Sequence, residues 1–226
     1  MPHGGPGGRN SWGYNAEVQF LANRGYVVLQ VNYRGSSGYG KAFLSSGFKQ
    51  LGAKINDDLE DGVHWLAKEG VIDPKRVAIY GSGFGGFIAL SSVYRNPGTY
   101  AAAASNSGVL NLFSYLKSIP PFFQANLKMY YDMFGNPELD NGYMNQVSPI
   151  FQAERINIPV FIGVNTKDTR SNPGDAIQYV KQLQKQHANV TYFENSEPPF
   201  SAKRDEARQK FYTSLEHFLA ANLEKK

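Results

Sequence analysis

The run Arg76–Val77–Ala78–Ile79–Tyr80 passes straight into a glycine cluster, Gly81 to Gly86, and from there into a helical stretch, Phe87 to Arg95. A short β-branched and aromatic run of this kind reads as a buried strand. Asn96–Pro97 stops the helix, because proline lacks the N–H and clashes with the preceding turn. A strand that feeds a helix without an intervening loop belongs to a sheet whose strands are joined by crossovers. The rest of the chain must therefore supply parallel neighbours.

It does so. Gly25 to Tyr33 reads as a strand after a helical stretch between Ser11 and Arg24. Asn56 to Glu69 reads as a helix, with Asp57, Asp58, Glu60 and Asp61 early and Lys68 late, the polarity that suits a helix dipole. Ala101 to Ser105, Pro159 to Asn165 and Val190 to Phe193 read as strands, with helices expected over 175–186 and 202–223. Residues 109–150, rich in Tyr, Phe, Pro and Asn, read as short helices and loops. The fold class is α/β, with a mostly parallel sheet flanked by helices.

Composition narrows the chemistry. With 226 residues the chain suits one domain. It contains no cysteine, which excludes disulfides, thiolate metal sites and cysteine nucleophiles. A net charge of +4 forms no basic block with interleaved aromatics, so no nucleic-acid partner is expected. No apolar run approaches the ~20 residues of a spanning helix, and no membrane partner is expected.

The turn after Tyr80 has the setting of the nucleophile elbow of the α/β-hydrolase fold. Strand and helix cross closely there, so the residues two before and two after the nucleophile must be small. Gly81 and Gly85 stand at that spacing about Gly83, which places glycine where Ser, Cys or Asp belongs. Ser82 has Tyr80 and Phe84 at the same offsets, both too bulky for the turn. A phosphate loop is another reading of a glycine-rich helix start. No Gly-Lys-Ser/Thr follows, however, and no G-x-G-x-x-G is complete; no cofactor is expected.

Four ordered segments resemble the prolyl oligopeptidase family, acylaminoacyl and dipeptidyl peptidases included. They are His3–Gly4–Gly5–Pro6, Asn32–Tyr33–Arg34–Gly35–Ser36 with Gly38–Tyr39–Gly40, Asp57 to Leu66, and Asp73 to Gly81. The resemblance implies a Ser-His-Asp hydrolase of peptide or ester bonds. It places the acid on Asp168, the histidine at Pro198 with Phe200 keeping its place in the loop, and oxyanion N–H groups at Phe84 and the Gly4–Gly5 turn. Nucleophile and base positions are thus Gly83 and Pro198, and a turn or capping role is the better reading of Asp168. Of the histidines, His64, His187 and His217 lie on helices away from the turn, and His3 belongs to the glycine loop.

The family's third strand, between its fourth and its elbow strand, would end just before His3, leaving only Met1 and Pro2. Its upstream β-propeller has no counterpart here. The expectation is a single domain over residues 1–226, N-terminally truncated, a fragment of a longer protein rather than a shortened relative with a repaired sheet. A gap inside a parallel sheet leaves backbone groups unpaired. Three functions are open: a catalytically degenerate hydrolase kept as a binding module, an active serine peptidase or esterase, and a decaying or engineered copy. Expected partners are a peptide or small-molecule ligand, and an upstream propeller or another chain.

Overall fold

A computed structural model describes residues 1–198, 201 and 203–223. Four strands lie side by side in chain order, each parallel to the next: β1 (Ala78–Ser82), β2 (Ala102–Asn106), β3 (Val160–Asn165) and β4 (Val190–Asn195). Parallel neighbours need crossovers. These are α4 (Phe84–Arg95) between β1 and β2, then α5 (Leu112–Lys117), α6 (Leu127–Phe134) and α7 (Asn141–Val147), and finally α8 (Pro173–Lys185). Before the sheet come α1 (Ala16–Asn23), α2 (Lys41–Ser45) and α3 (Lys54–Lys68); α9 (Arg204–Leu223) closes the described chain.

Side chains alternate across a strand, and here both faces are covered. Ile79, Ala103, Val160 and Ile162 face a core built with Leu59 and Val63 of α3, Phe87 and Leu90 of α4, and Tyr179 of α8. Tyr80, Ala102, Ala104 and Phe161 face a second core with Leu21 of α1 and Phe211, Leu215 and Phe218 of α9. Two apolar faces explain why the strands read as continuous hydrophobic runs rather than alternating ones.

Polar contacts fix the layers. Buried Asn56 points Nδ2 at the Ile88 carbonyl (3.2 Å) and at the hydroxyls of Ser91 (2.8 Å) and Ser92 (2.9 Å), joining α3 to α4. Arg34 grips Asp58 through Nε (2.8 Å), Nη2 (2.5 Å) and its backbone N–H (2.9 Å). The carboxylate beside it holds the guanidinium pKa above its ordinary value. Tyr80 and Tyr212 both donate to Glu17 Oε1, tying α1 to β1 and α9.

One expected strand is not realised. The run from Gly25 to Tyr33 carries no ladder with any strand among the described residues. It packs on α3 all the same: a Cβ placed on Gly62 would lie 3.1 Å from Leu29 Cδ2 and 3.3 Å from Val31 Cγ2. The run has strand-forming composition and lacks a neighbour, since β1 pairs only with β2. The Met1 amine donates to the Leu29 carbonyl at 2.7 Å.

Candidate active site

The turn from β1 into α4 is built by close approach. A Cβ on Gly81 would lie 2.4 Å from the carbonyl group of Gly85, and one on Gly85 would lie 2.5 Å from the Pro2 carbonyl oxygen. On Gly86 it would meet Ser105 Oγ at 2.4 Å. Real Cβ atoms do not tolerate such distances, so these glycines let the strand, the helix and the N-terminal segment pass one another.

Gly83 is different. It caps α4 with φ 57° and ψ −121°, yet a Cβ there would meet no heavy atom within 4 Å. The reason for glycine at this position is backbone conformation and not crowding, and any side chain placed on it projects into a cleft of about 1000 Å³. Gly4, Gly5, Phe84, Asp168 and Pro198 line the same cleft. The structure therefore brings Gly83, the Gly4–Gly5 turn, Phe84, Asp168 and Pro198 to one place. The N–H of Phe84 stands in the first turn of α4, where helix donors have no intrahelical acceptor.

Asp168 follows β3 in a tight turn. Its Oδ1 accepts from the Arg170 backbone N–H at 2.9 Å and its Oδ2 from Ser171 Oγ at 3.0 Å, while Arg170 Nε lies 3.7 Å from Oδ1. Each oxygen thus accepts one local hydrogen bond. Pro198 is exposed in the loop after β4, and its carbonyl accepts from Ser201 N–H at 3.0 Å. That loop is held by Asn165 Nδ2 donating to the Glu197 carbonyl (3.3 Å) and by Ser201 Oγ donating to Glu197 Oε2 (2.6 Å). The expectation for Phe200 falls outside the described residues.

No imidazole hydrogen-bonds to Ser82, which is exposed and lines the cleft, among the described residues. His3 stacks on Tyr33 with ring centroids 4.2 Å apart, and its Nε2 lies 2.7 Å from the hydroxyl of buried Ser36. Burial holds its pKa below the ordinary value, against a smaller opposing effect of the Gly4 carbonyl. His64 is exposed on α3 beside Glu60 at 3.8 Å, His187 lies just beyond the end of α8 at φ 59°, and His217 is exposed on α9.

Sequence reasoning missed the cleft's aromatic wall. Phe84 stacks on Phe134 (centroids 4.9 Å, 8° between planes) and meets Tyr115 edge-on at 4.9 Å. Tyr115, Phe123 and Tyr130 line the cleft beside it. Burial pushes the Tyr115 phenol up to about 12, so it stays a neutral donor near pH 7. The aromatic richness of residues 109–150 was the available signal. On the other side, Arg170, Arg204 and Arg208 make a basic rim.

A parallel sheet that turns through a positive-φ residue into a buried helix, with the turns after the later strands opening onto the same cleft, is an α/β-hydrolase. A sequence model of the prolyl oligopeptidase family matches residues 12–226. The chain belongs to that family of serine peptidases, as its second-sequence neighbours agree. Dipeptidyl aminopeptidase BIII of Pseudoxanthomonas mexicana is 36% identical over 222 residues, 97% of this chain and 32% of that protein. Acylamino-acid-releasing enzyme 1 of Oryza sativa subsp. japonica is 31% identical over 187 residues, 80% of this chain and 24% of that enzyme. The chain thus spans about a third or less of the length of these relatives. Among solved structures, a puromycin-hydrolyzing peptidase of Mycobacterium tuberculosis superposes with a TM-score of 0.86 at 26% identity, covering 99% of this chain and 34% of that one. An acylaminoacyl peptidase of Pyrococcus horikoshii does so with a TM-score of 0.87 at 22% identity, covering 99% and 37%, a likeness of fold.

Proposed function

We propose that this domain is a pseudoenzyme: a peptidase-family cleft that receives a peptide or similar small ligand and does not cleave it. One observation carries the reading. The elbow position has the backbone of a nucleophile turn and open space for a side chain, and the residue is Gly83. A triad works because a base takes the hydroxyl proton while an acid fixes the base's tautomer. Here the nucleophile position has no oxygen and Pro198, at the histidine position, has no ring nitrogen to accept a proton. Asp168, at the acid position, has a role in its own turn that needs no histidine.

What remains is recognition: the backbone donors of Phe84 and the Gly4–Gly5 turn, an aromatic wall and a basic rim. Losing the triad costs on the order of a million-fold in turnover, leaving roughly a thousand-fold over water. For a peptide bond that residue is negligible.

A second reading, an active hydrolase using Ser82, draws on the exposure of that side chain in the cleft. Against it stands the absence of a base at its hydroxyl among the described residues. The two readings part in one experiment. Purified protein is incubated with a fluorophosphonate probe and with p-nitrophenyl esters. The expected result is no stoichiometric label and no ester turnover above the buffer rate. Labelling mapped to Ser82 overturns the pseudoenzyme reading.

A further inference from the structure

At the elbow the cleft has room where a nucleophile would stand. A Cβ on Gly83 meets no heavy atom within 4 Å, so the space of a hydroxymethyl group is open and continuous with the cleft. Backbone ties fix what stands beside it. Gly83 N–H donates to the Asn106 carbonyl at 3.1 Å, and the Gly83 carbonyl accepts from Val109 N–H at 3.2 Å. The turn that leaves β2, Asn106–Ser107–Gly108, therefore runs along the open position, and Asn106 and Ser107 both line the cleft.

Ser107 has φ 45°, a region where a side chain is costly and glycine is the easy residue. Its N–H donates to the Gly163 carbonyl at 2.8 Å, which holds the turn against β3. Neither the Ser107 hydroxyl nor the Asn106 amide has a hydrogen-bond partner among the described residues. The N–H groups of Phe84 and Gly5 also lack an acceptor among those residues. The Gly4–Gly5 turn belongs to the same corner, since a Cβ on Gly4 would lie 3.5 Å from the Ser82 carbonyl oxygen. Four donors without acceptors thus share the elbow end of the cleft.

We infer that the elbow is a receptor for a carboxylate, and that the ligand is a peptide ending in a free acid. One oxygen takes the Phe84 and Gly5 N–H groups, and the other enters the room at Gly83 beside Ser107 and Asn106. The inference rests on the reading of the cleft as a receptor that does not cleave.

Three observations choose the acid over an amide or an ester. A carboxylate only accepts, at both oxygens, and bonds to an ion are the stronger ones; a terminal amide would turn N–H donors toward donors. Its second oxygen needs room that a nucleophile's side chain would take and glycine leaves. The charge also suits an anion. Arg170, Arg204 and Arg208 line the cleft against Asp168 and Glu197, and Asp205 comes no nearer than 3.8 Å to Arg204 and 3.7 Å to Arg208.

The test titrates the 226-residue chain by isothermal calorimetry with N-acetyl-Gly-Gly-Phe and N-acetyl-Gly-Gly-Leu, each as free acid and as C-terminal amide. At least one acid should bind about tenfold or more tightly than its amide, the worth of a hydrogen bond to an ion. Gly83→Ala places a methyl group in the open room and adds no donor, so the acid should fall to the level of its amide. Ser107→Gly relieves the positive φ and deletes the hydroxyl. Its urea midpoint should hold while the acid loses about tenfold, a split that a merely structural role does not produce. Equal binding of acid and amide, both recovered intact, overturns the inference and leaves the receptor reading standing. So does a lack of saturation by either acid at millimolar concentration, or an acid preference unchanged in both variants. Conversion of the amides to acids, read by chromatography, overturns the receptor reading and this inference with it.

Discussion

Replacing Gly83 by alanine separates strain from crowding at the elbow, because the structure removes crowding from the account. A Cβ there meets no heavy atom within 4 Å, while φ is 57°. A side chain in such a region costs about 1–3 kcal/mol. Against this, Gly→Ala reduces the freedom of the unfolded chain and returns about 0.4–1 kcal/mol. The net expectation is a loss of about 1–2 kcal/mol, a fall in Tm of roughly 2–8 °C for a chain of this size. Gly83→Ser should lose a similar amount, since both variants add the same Cβ and the hydroxyl extends into open cleft. Urea unfolding of the three proteins, with slopes compared as well as midpoints, is the assay. Gly83→Ser should also stay inactive toward p-nitrophenyl esters, with no base at the new hydroxyl. The refuting result is a neutral or stabilised Gly83→Ala. That sign is what glycine replacement gives at an ordinary negative φ, and it would remove the elbow assignment along with the reasoning built on it.

Two further outcomes bear on the same region. Gly81→Ala forces a Cβ to 2.4 Å from the Gly85 carbonyl group and should cost more than Gly83→Ala, about 3 kcal/mol or above given the backbone shift overpacking demands, measured in the same urea series. The pKa of His3 is lowered on folding by burial, so below its ordinary value the unfolded chain binds the proton more readily. Stability is then complete above about pH 6.5 and falls as pH falls through the lowered value. The drop in urea midpoint between pH 7.5 and 5.0 should be smaller in His3→Gln; an unchanged drop would place the titration elsewhere.

How much of this was legible in the residues differs by element, and for physical reasons. The glycine spacing around Gly83 was readable because close approach leaves no alternative to glycine at Gly81 and Gly85. The limits of the flanking elements were less so. The strand expected to stop at Tyr80 continues through Gly81 to Ser82, since ladder bonds need backbone and not side chains. The helix expected from Phe87 starts at Phe84, because tertiary packing overrides the poor propensity of Gly85 and Gly86. The short helix α2 was invisible for want of length, and the aromatic wall showed only as the aromatic richness of residues 109–150, because Phe84, Tyr115 and Phe134 meet only in three dimensions. The run Gly25–Tyr33 failed in the opposite sense. Its composition describes a side chain's fit to a sheet, and a strand also needs a neighbour.

Asp168 shows why a retained residue is weak testimony for a retained reaction. Each carboxylate oxygen can accept two bonds, so this side chain can face a histidine and still hold its turn; Arg170 N–H on Oδ1 and Ser171 Oγ on Oδ2 give it a local role that needs no base. A turn built this way requires an acceptor at Oδ1, and asparagine supplies one equally well. Ser171 can reverse its hydroxyl to accept from the new amide. Asp168→Asn should therefore leave stability within about 0.5 kcal/mol of the parent, the range of a substitution that breaks no named feature. Asp168→Ala removes both acceptors and should cost about 1–2 kcal/mol at the usual net worth of a hydrogen bond. Chemical denaturation of the pair gives the answer, because a role as acid to a base depends on charge and a role as turn acceptor does not. If Asn costs as much as Ala, the negative charge is what the fold or the cleft uses. The 3.7 Å approach of Arg170 would be the first place to look, although that side chain is 92% exposed and an exposed pair is worth little.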